Sequence, residues 1–126
     1  MLDEEHALGD ELLLAAANEG EVAFLAQAFA RRGGIADESA LDELLSADAP
    51  RIMGLLRVAG ASRELGAGLL AAIGDLLGIA DPGQAISIFD RMTEEEVSAA
   101  RAWLSTAPEY RTALETLGEG HGQRSL

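Results

Sequence analysis

The chain has no cysteine and no lysine; its nine basic residues other than histidine are all arginine. Without cysteine there is no disulfide framework, no thiolate nucleophile and no cysteine-based metal site. That fits the cytoplasm, the localisation expected here. Long apolar runs are missing as well. The longest uncharged stretch, residues 65–74, is ten residues, about half of what a membrane span needs. The opening "MLDEEHALGDELLLAAAN" puts acids where an export signal needs basic residues. No segment alternates apolar and polar residues as a half-buried strand would.

Acidic charge is abundant. With 22 acids the net charge is −13 over 126 residues. Residues 1–21 hold seven acids and no arginine, residues 22–63 five of each, and residues 64–126 ten acids and four arginines. An acidic field of this kind repels nucleic acid and anionic membrane, so neither is expected as a partner. The length suits one domain that buries roughly two-thirds of its unfolded surface, expected over residues 1–117 with a disordered tail at 118–126.

The periodic signals are helical, and about eight helices are expected. The first covers 11–18. The second, 21–32, has Val22, Leu25 and Phe29 on one stripe with Phe24 and Ala28 beside it. The third, 38–46, offers Leu41, Leu44 and Leu45 to a core. The fourth starts behind Asp48 with Pro50 in its first turn, buries Ile52, Leu55, Leu56 and Ala59, and stops at Gly60. The fifth, 63–77, is apolar nearly all round and is expected at the centre. "DPGQ", "TEEE" and "TAPE" announce three more, with Asp81, Thr93 and Thr106 as caps. A shift of 28 carries Phe24, Leu25, Leu41 and Leu45 onto Ile52, Met53, Leu69 and Ile73. Stacked helical hairpins and an irregular orthogonal bundle are both compatible with that weak repeat.

Several motifs imitate chemistry. "LLRVAGASREL" has the outline of a helix-turn-helix, but its second helix opens with one cation, Arg63, beside Glu64, and then turns apolar, so bases and phosphates find few partners. "GAGLLA" at 66–71 matches a loose dinucleotide pattern without the strand that must precede it. His6 and His121 have no second ligand at helical spacing, and no acid pair faces an apolar pocket. The expectation is a protein that is not an enzyme, with no metal and no cofactor. What stands out is the neutral middle. Arg31, Arg32, Arg51, Arg57 and Arg63 are more than half of the arginines in a third of the chain. They form either a face for an acidic partner or a set of local pairings for Asp37, Asp42, Asp48 and Glu64. If they form a face, exchanging Arg57 and Arg63 for glutamate should leave the fold intact.

"ELLLAAANEGEVAFLAQAFARRGG" followed by "LLRVAGASRELGAGLLAAI" resembles the C-terminal helical region of a bacterial domain-of-unknown-function family. That family is common in alphaproteobacteria and related in style to HEAT and TPR-like helical repeats. The likeness rests on the leucines before Gly20-Glu21, on Phe24, on "AQAFA" and on Leu55-Leu56-Arg57 running into Ala59-Gly60. It covers about residues 11–77, and "RAWLSTAPEYRTAL" matches more loosely. The resemblance implies helical hairpins and assigns no activity. Members are longer, so this chain would be a short member or an excised domain.

The leading functional expectation is a non-catalytic protein–protein interaction or scaffold module that meets another protein or peptide. The alternative is a small-ligand-binding regulatory domain with a pocket at Gly66, Leu69 and Leu70; a DNA-binding regulator is the third class. The charge distribution yields a direct test of that third class. The protein should not bind random duplex DNA at physiological salt, and a micromolar affinity falling steeply with added salt would contradict the reading, because such a slope counts phosphate contacts.

Overall fold

The computed structural model describes residues 2–106, with side chains from residue 9 onward. The described chain is helical throughout: α1 (Leu2–Asn18), α2 (Val22–Gly33), α3 (Asp37–Leu44), α4 (Ala49–Val58), α5 (Arg63–Ile73), α6 (Pro82–Arg91) and α7 (Glu94–Leu104). The eighth expected helix, the expected tail and His121 lie outside the described residues, as does the side chain of His6.

Helix starts follow from short polar side chains that accept from otherwise unpaired backbone N–H groups. Asp48 accepts from the Arg51 N–H at 3.1 Å, Ser62 from Leu65 at 3.1 Å and Asp81 from Gln84 at 3.0 Å. Thr93 and Glu96 form a reciprocal capping box. The Thr93 backbone N–H and hydroxyl hold the Glu96 carboxylate below its ordinary value of 4.5, because both bonds favour the charged form. Helix ends use glycine. At the α4–α5 corner Gly60 sits at φ 70, and the Ala61 N–H returns to the Leu56 carbonyl at 2.9 Å. Gly34 does the same for α2, with Ile35 N–H donating to Ala30 at 3.0 Å. These six-to-one closures satisfy carbonyls that the helix leaves open.

Boundaries differ from the sequence reading in three places. The first helix begins at Leu2, because Gly9 lowers helix propensity without ending the helix. The third ends at Leu44, and the following turn leaves Leu45 exposed rather than buried. The fifth ends at Ile73; residues 74–78 form a turn that buries Leu77 and points Leu76 outward. Nor is α5 covered all round, since Ala67 and Ala71 face solvent.

Packing decides between the two architectures. In a hairpin stack each pair touches only its neighbours. Here α1 lies against α5, and α4 touches α2, α3, α6 and α7, while α5 also meets α6. The result is an irregular closed bundle around α4 and α5. Leu25, Phe29, Leu44, Ile52, Met53, Leu55, Leu56, Leu65 and Leu69 are fully buried. The positions related by the 28-residue shift are not equivalent: Phe24 and Leu45 are exposed, whereas Ile52 and Ile73 are core.

Glycines permit several close approaches. A Cβ at Gly68 would run into the Leu14 side chain, so its absence lets α1 settle on α5. A Cβ at Gly33 would come within 3.1 Å of Val58 Cγ1, where α2 crosses α4. Among the described residues no helix is long and apolar enough to cross a membrane.

Leu69 is 0% exposed and sits on the α5 face turned toward the core. Leu69→Ala should cost about 2–5 kcal/mol, the transfer term plus the cavity left behind. Urea unfolding measures it, and a loss under about 0.5 kcal/mol would place α5 at the periphery, against this packing.

Candidate interaction surface

The five middle arginines do not form one open face, because most of them tie helices together. Arg32 on α2 pairs with Asp10 on α1 at 2.9 Å. Asp10 also accepts from the hydroxyl of Ser62, the α5 cap, at 3.0 Å. One carboxylate therefore joins three helices. Arg51 on α4 grips the buried Glu43 of α3 with two bonds, 2.7 and 3.1 Å. Arg63 on α5 reaches Asp90 on α6 at 3.1 Å, with both side chains well exposed. Of the five, only Arg31 has no bonded partner among the described residues, and it is exposed.

Arg57 has a different task. Its Nη1 donates to the carbonyls of Phe89 at 2.7 Å and Met92 at 3.1 Å, where α6 ends. The guanidinium lies 5.4 Å from the Phe89 ring centroid. A cation at a helix C-terminus also meets the negative end of the helix dipole. Arg101 on α7 repeats the device one helix away, donating to the Val58 carbonyl at the end of α4 at 3.1 Å. Exchanging Arg57 for glutamate would set a carboxylate against two carbonyls, so it should destabilise the fold, contrary to the reading of Arg57 as part of an open face.

The pocket expected at Gly66, Leu69 and Leu70 is filled. All three are buried in α5, and a Cβ at Gly66 would already lie 3.7 Å from both Ile86 and Leu56. Their small or apolar character serves helix packing. A hollow of about 380 Å³ opens between α4 and α7, with Gly54 and Leu55 inside and Trp103 at its edge. Its Glu43, Arg51 and Trp103 are all engaged in interactions, so it presents no free polar group of theirs.

A larger groove, about 530 Å³, runs between α1 and α2 and is lined by Gly9, Leu12, Leu13, Phe24, Gln27, Ala28, Arg31 and Arg32. The two helices are antiparallel: the three-residue turn joins Asn18 to Val22, and Asp10 meets Arg32 at the far end. Leu12 is 61% exposed and Phe24 39%. The two also border a shallower hollow toward the turn, shared with Ala15, Ala16, Glu19 and Glu21. The face thus has three zones: Arg31 at one end, Leu12 and Phe24 in the middle, and Glu19 with Glu21 at the other end. Leu25, Ala26 and Phe29 face inward from α2, which leaves Phe24 on the outer flank.

Sequence reasoning placed Phe24 beside the buried stripe and gave Leu12 no role. A signal for Leu12 existed. Leu12-Leu13-Leu14 spans about 200° of a helix, so three successive leucines cannot all face one core. Leu13 is buried, Leu14 half-buried and Leu12 exposed. Among the described residues no group of three or more His, Asp or Glu is placed to hold a metal ion. No protein-family model, curated protein or solved structure matches the chain.

The two kinds of arginine contact should separate by measurement. Arg57→Met keeps the aliphatic stem and removes the donors, leaving two carbonyls short of a partner. It should cost about 1–3 kcal/mol. Arg63→Met breaks only an exposed pair and should cost under about 1 kcal/mol. Equal, small losses in urea unfolding would show that the α6 carbonyls do not depend on Arg57.

Proposed function

We propose that the protein is a non-catalytic protein–protein interaction module whose docking surface is the α1–α2 face. Its occupant is an α-helical segment with an apolar stripe, its acidic end toward Arg31 and its basic end toward Glu19 and Glu21. The observation that carries this reading is the pair Leu12 and Phe24, exposed together over a groove of about 530 Å³. Single exposed apolar residues are ordinary, but an apolar patch over a groove with polar residues at its rim is the usual form of a binding surface. A groove between two antiparallel helices suits a third helix, whose apolar side chains at i, i+3, i+4 and i+7 would lie along it.

The charges give such an occupant a direction. Arg31, exposed and without a bonded partner among the described residues, can meet a carboxylate, while Glu19 and Glu21 can meet cations. Rim charges of this kind govern encounter rate and orientation more than affinity. Affinity would come from Leu12 and Phe24, because binding energy concentrates in a few central apolar or aromatic anchors.

The test is site-specific photo-crosslinking in the native host. A photoreactive phenylalanine at Phe24 should give a discrete protein adduct, and the same group at Ala71 on α5 should not. The crosslinked peptide should carry apolar residues at helical spacing, and Leu12→Glu should abolish the adduct. The reading fails if Phe24 captures nothing, or if the adduct survives Leu12→Glu.

A further inference from the structure

We infer that the hollow between α4 and α7 is covered by this chain's own continuation, with residues 107–117 lying across it as a helix antiparallel to α7. The inference is independent of the α1–α2 face. It starts from how little of α7 is covered. Of its eleven residues only Leu104 is buried, and the neighbouring Trp103 is 37% exposed. Both line the hollow, together with the buried Gly54 and Leu55 of α4 and the half-buried Met92 and Ala100. Its volume of about 380 Å³ equals that of about a dozen liquid waters at about 30 Å³ each. Walls as apolar as these are better covered by apolar side chains than by water.

The place where the described chain ends points to the occupant. It ends at Thr106, two residues past Leu104, so the continuation leaves from the rim of the hollow. Thr106 closes α7: its backbone N–H donates to the Trp103 carbonyl and its hydroxyl to the Ala102 carbonyl, both at 3.1 Å. A hydroxyl that has donated its proton can still accept. Thr106 and Glu109 repeat the spacing of Thr93 and Glu96, which form a capping box, and Pro108 suits a first helical turn. One threonine thus ends α7 and starts its successor. A link this short makes the two helices antiparallel neighbours.

The sequence behind that start has the face the hollow needs. Tyr110, Ala113, Leu114 and Leu117 fall within an arc of about 100° and span about 10 Å of helix axis. Thr112 and Glu115 fall on the opposite side. Attachment also favours this occupant over a separate peptide. A segment joined by a short link meets its site at an effective concentration in about the millimolar range, which a free competitor of similar sequence must exceed.

Hydrogen exchange of the full chain tests the inference. Amides of residues 110–117 should exchange about a hundredfold more slowly than in an unstructured peptide. Ala100→Glu places a charge in the wall of the hollow, at a half-buried position from which a long side chain still reaches solvent. It should return these amides to within about threefold of the unstructured rate while α5 keeps its protection. Trp103, the single tryptophan of the chain, reports independently. Leu114→Glu should shift its emission to the red and raise its quenching by acrylamide, and Thr112→Glu should do neither.

Unprotected amides at 110–117 in the wild-type chain overturn the inference. Protection that survives Ala100→Glu overturns it too, because the helix would then lie elsewhere. If Ala100→Glu removes the protection of α5 as well, the tryptophan decides. A response to Leu114→Glu that Thr112→Glu does not share supports the inference, and its absence overturns it.

Discussion

A helix leaves its first backbone N–H groups and its last carbonyls unpaired, so a bundle of short helices has many such groups to supply with partners from elsewhere. The described helices run from 8 to 17 residues, so a large share of their backbone lies in a first or last turn. Some carbonyls are closed locally by glycine turns, as at Gly60. Others, at Val58, Phe89 and Met92, are closed by arginines of a neighbouring helix. A guanidinium fork can serve two acceptors at once and keeps its charge. The use of arginine alone, with no lysine, suits that task. These contacts join positions 32 to 43 residues apart, so they fix which helices lie together as well as satisfying their ends.

The same constraint explains which parts of the sequence could be read. N-terminal caps are local: Asp48, Asp81 and Thr93 act on backbone three residues ahead, and each was legible from spacing. The fates of the arginines were not. Arg31 and Arg32 are adjacent and chemically identical in sequence, yet one meets solvent and the other pairs with a residue 22 positions earlier. Asp37, Asp42, Asp48 and Glu64 were the expected partners. The acids that serve are Asp10, Glu43 and Asp90, which only the three-dimensional arrangement brings near. Choosing a destination for a long charged side chain requires knowing which helices touch, and periodicity does not supply that.

Apolar residues show a similar division. A helical stripe says which residues share a face, and it correctly gathers Leu25 with Phe29 and Leu55 with Leu56. It does not say how wide the buried face is. Phe24 and Leu45 lie next to fully buried neighbours and are themselves exposed. The 28-residue self-similarity failed for the same reason, since it aligned residue types without regard to the helices waiting to cover them. Gly66 also shows how composition misleads: its lack of a side chain suggested room for a ligand, where Ile86 and Leu56 already fill the space.

The attachment of α1 has a consequence for how this molecule would register an occupant. One wall of the groove is α1, and α1 is fastened to the body by its packing on α5 and by Asp10, whose other bond goes to Ser62, 52 residues away. An undocked α1 would leave no groove and would uncover part of α5. Anything that grips both walls therefore selects the docked form, by RT ln(1 + [L]/Kd). Amide exchange at the start of α5 would slow along with that of α1, although no occupant touches α5. The N-terminal hairpin and the start of α5 are thus coupled directly, through the packing of α1 on α5 and the Asp10–Ser62 bond.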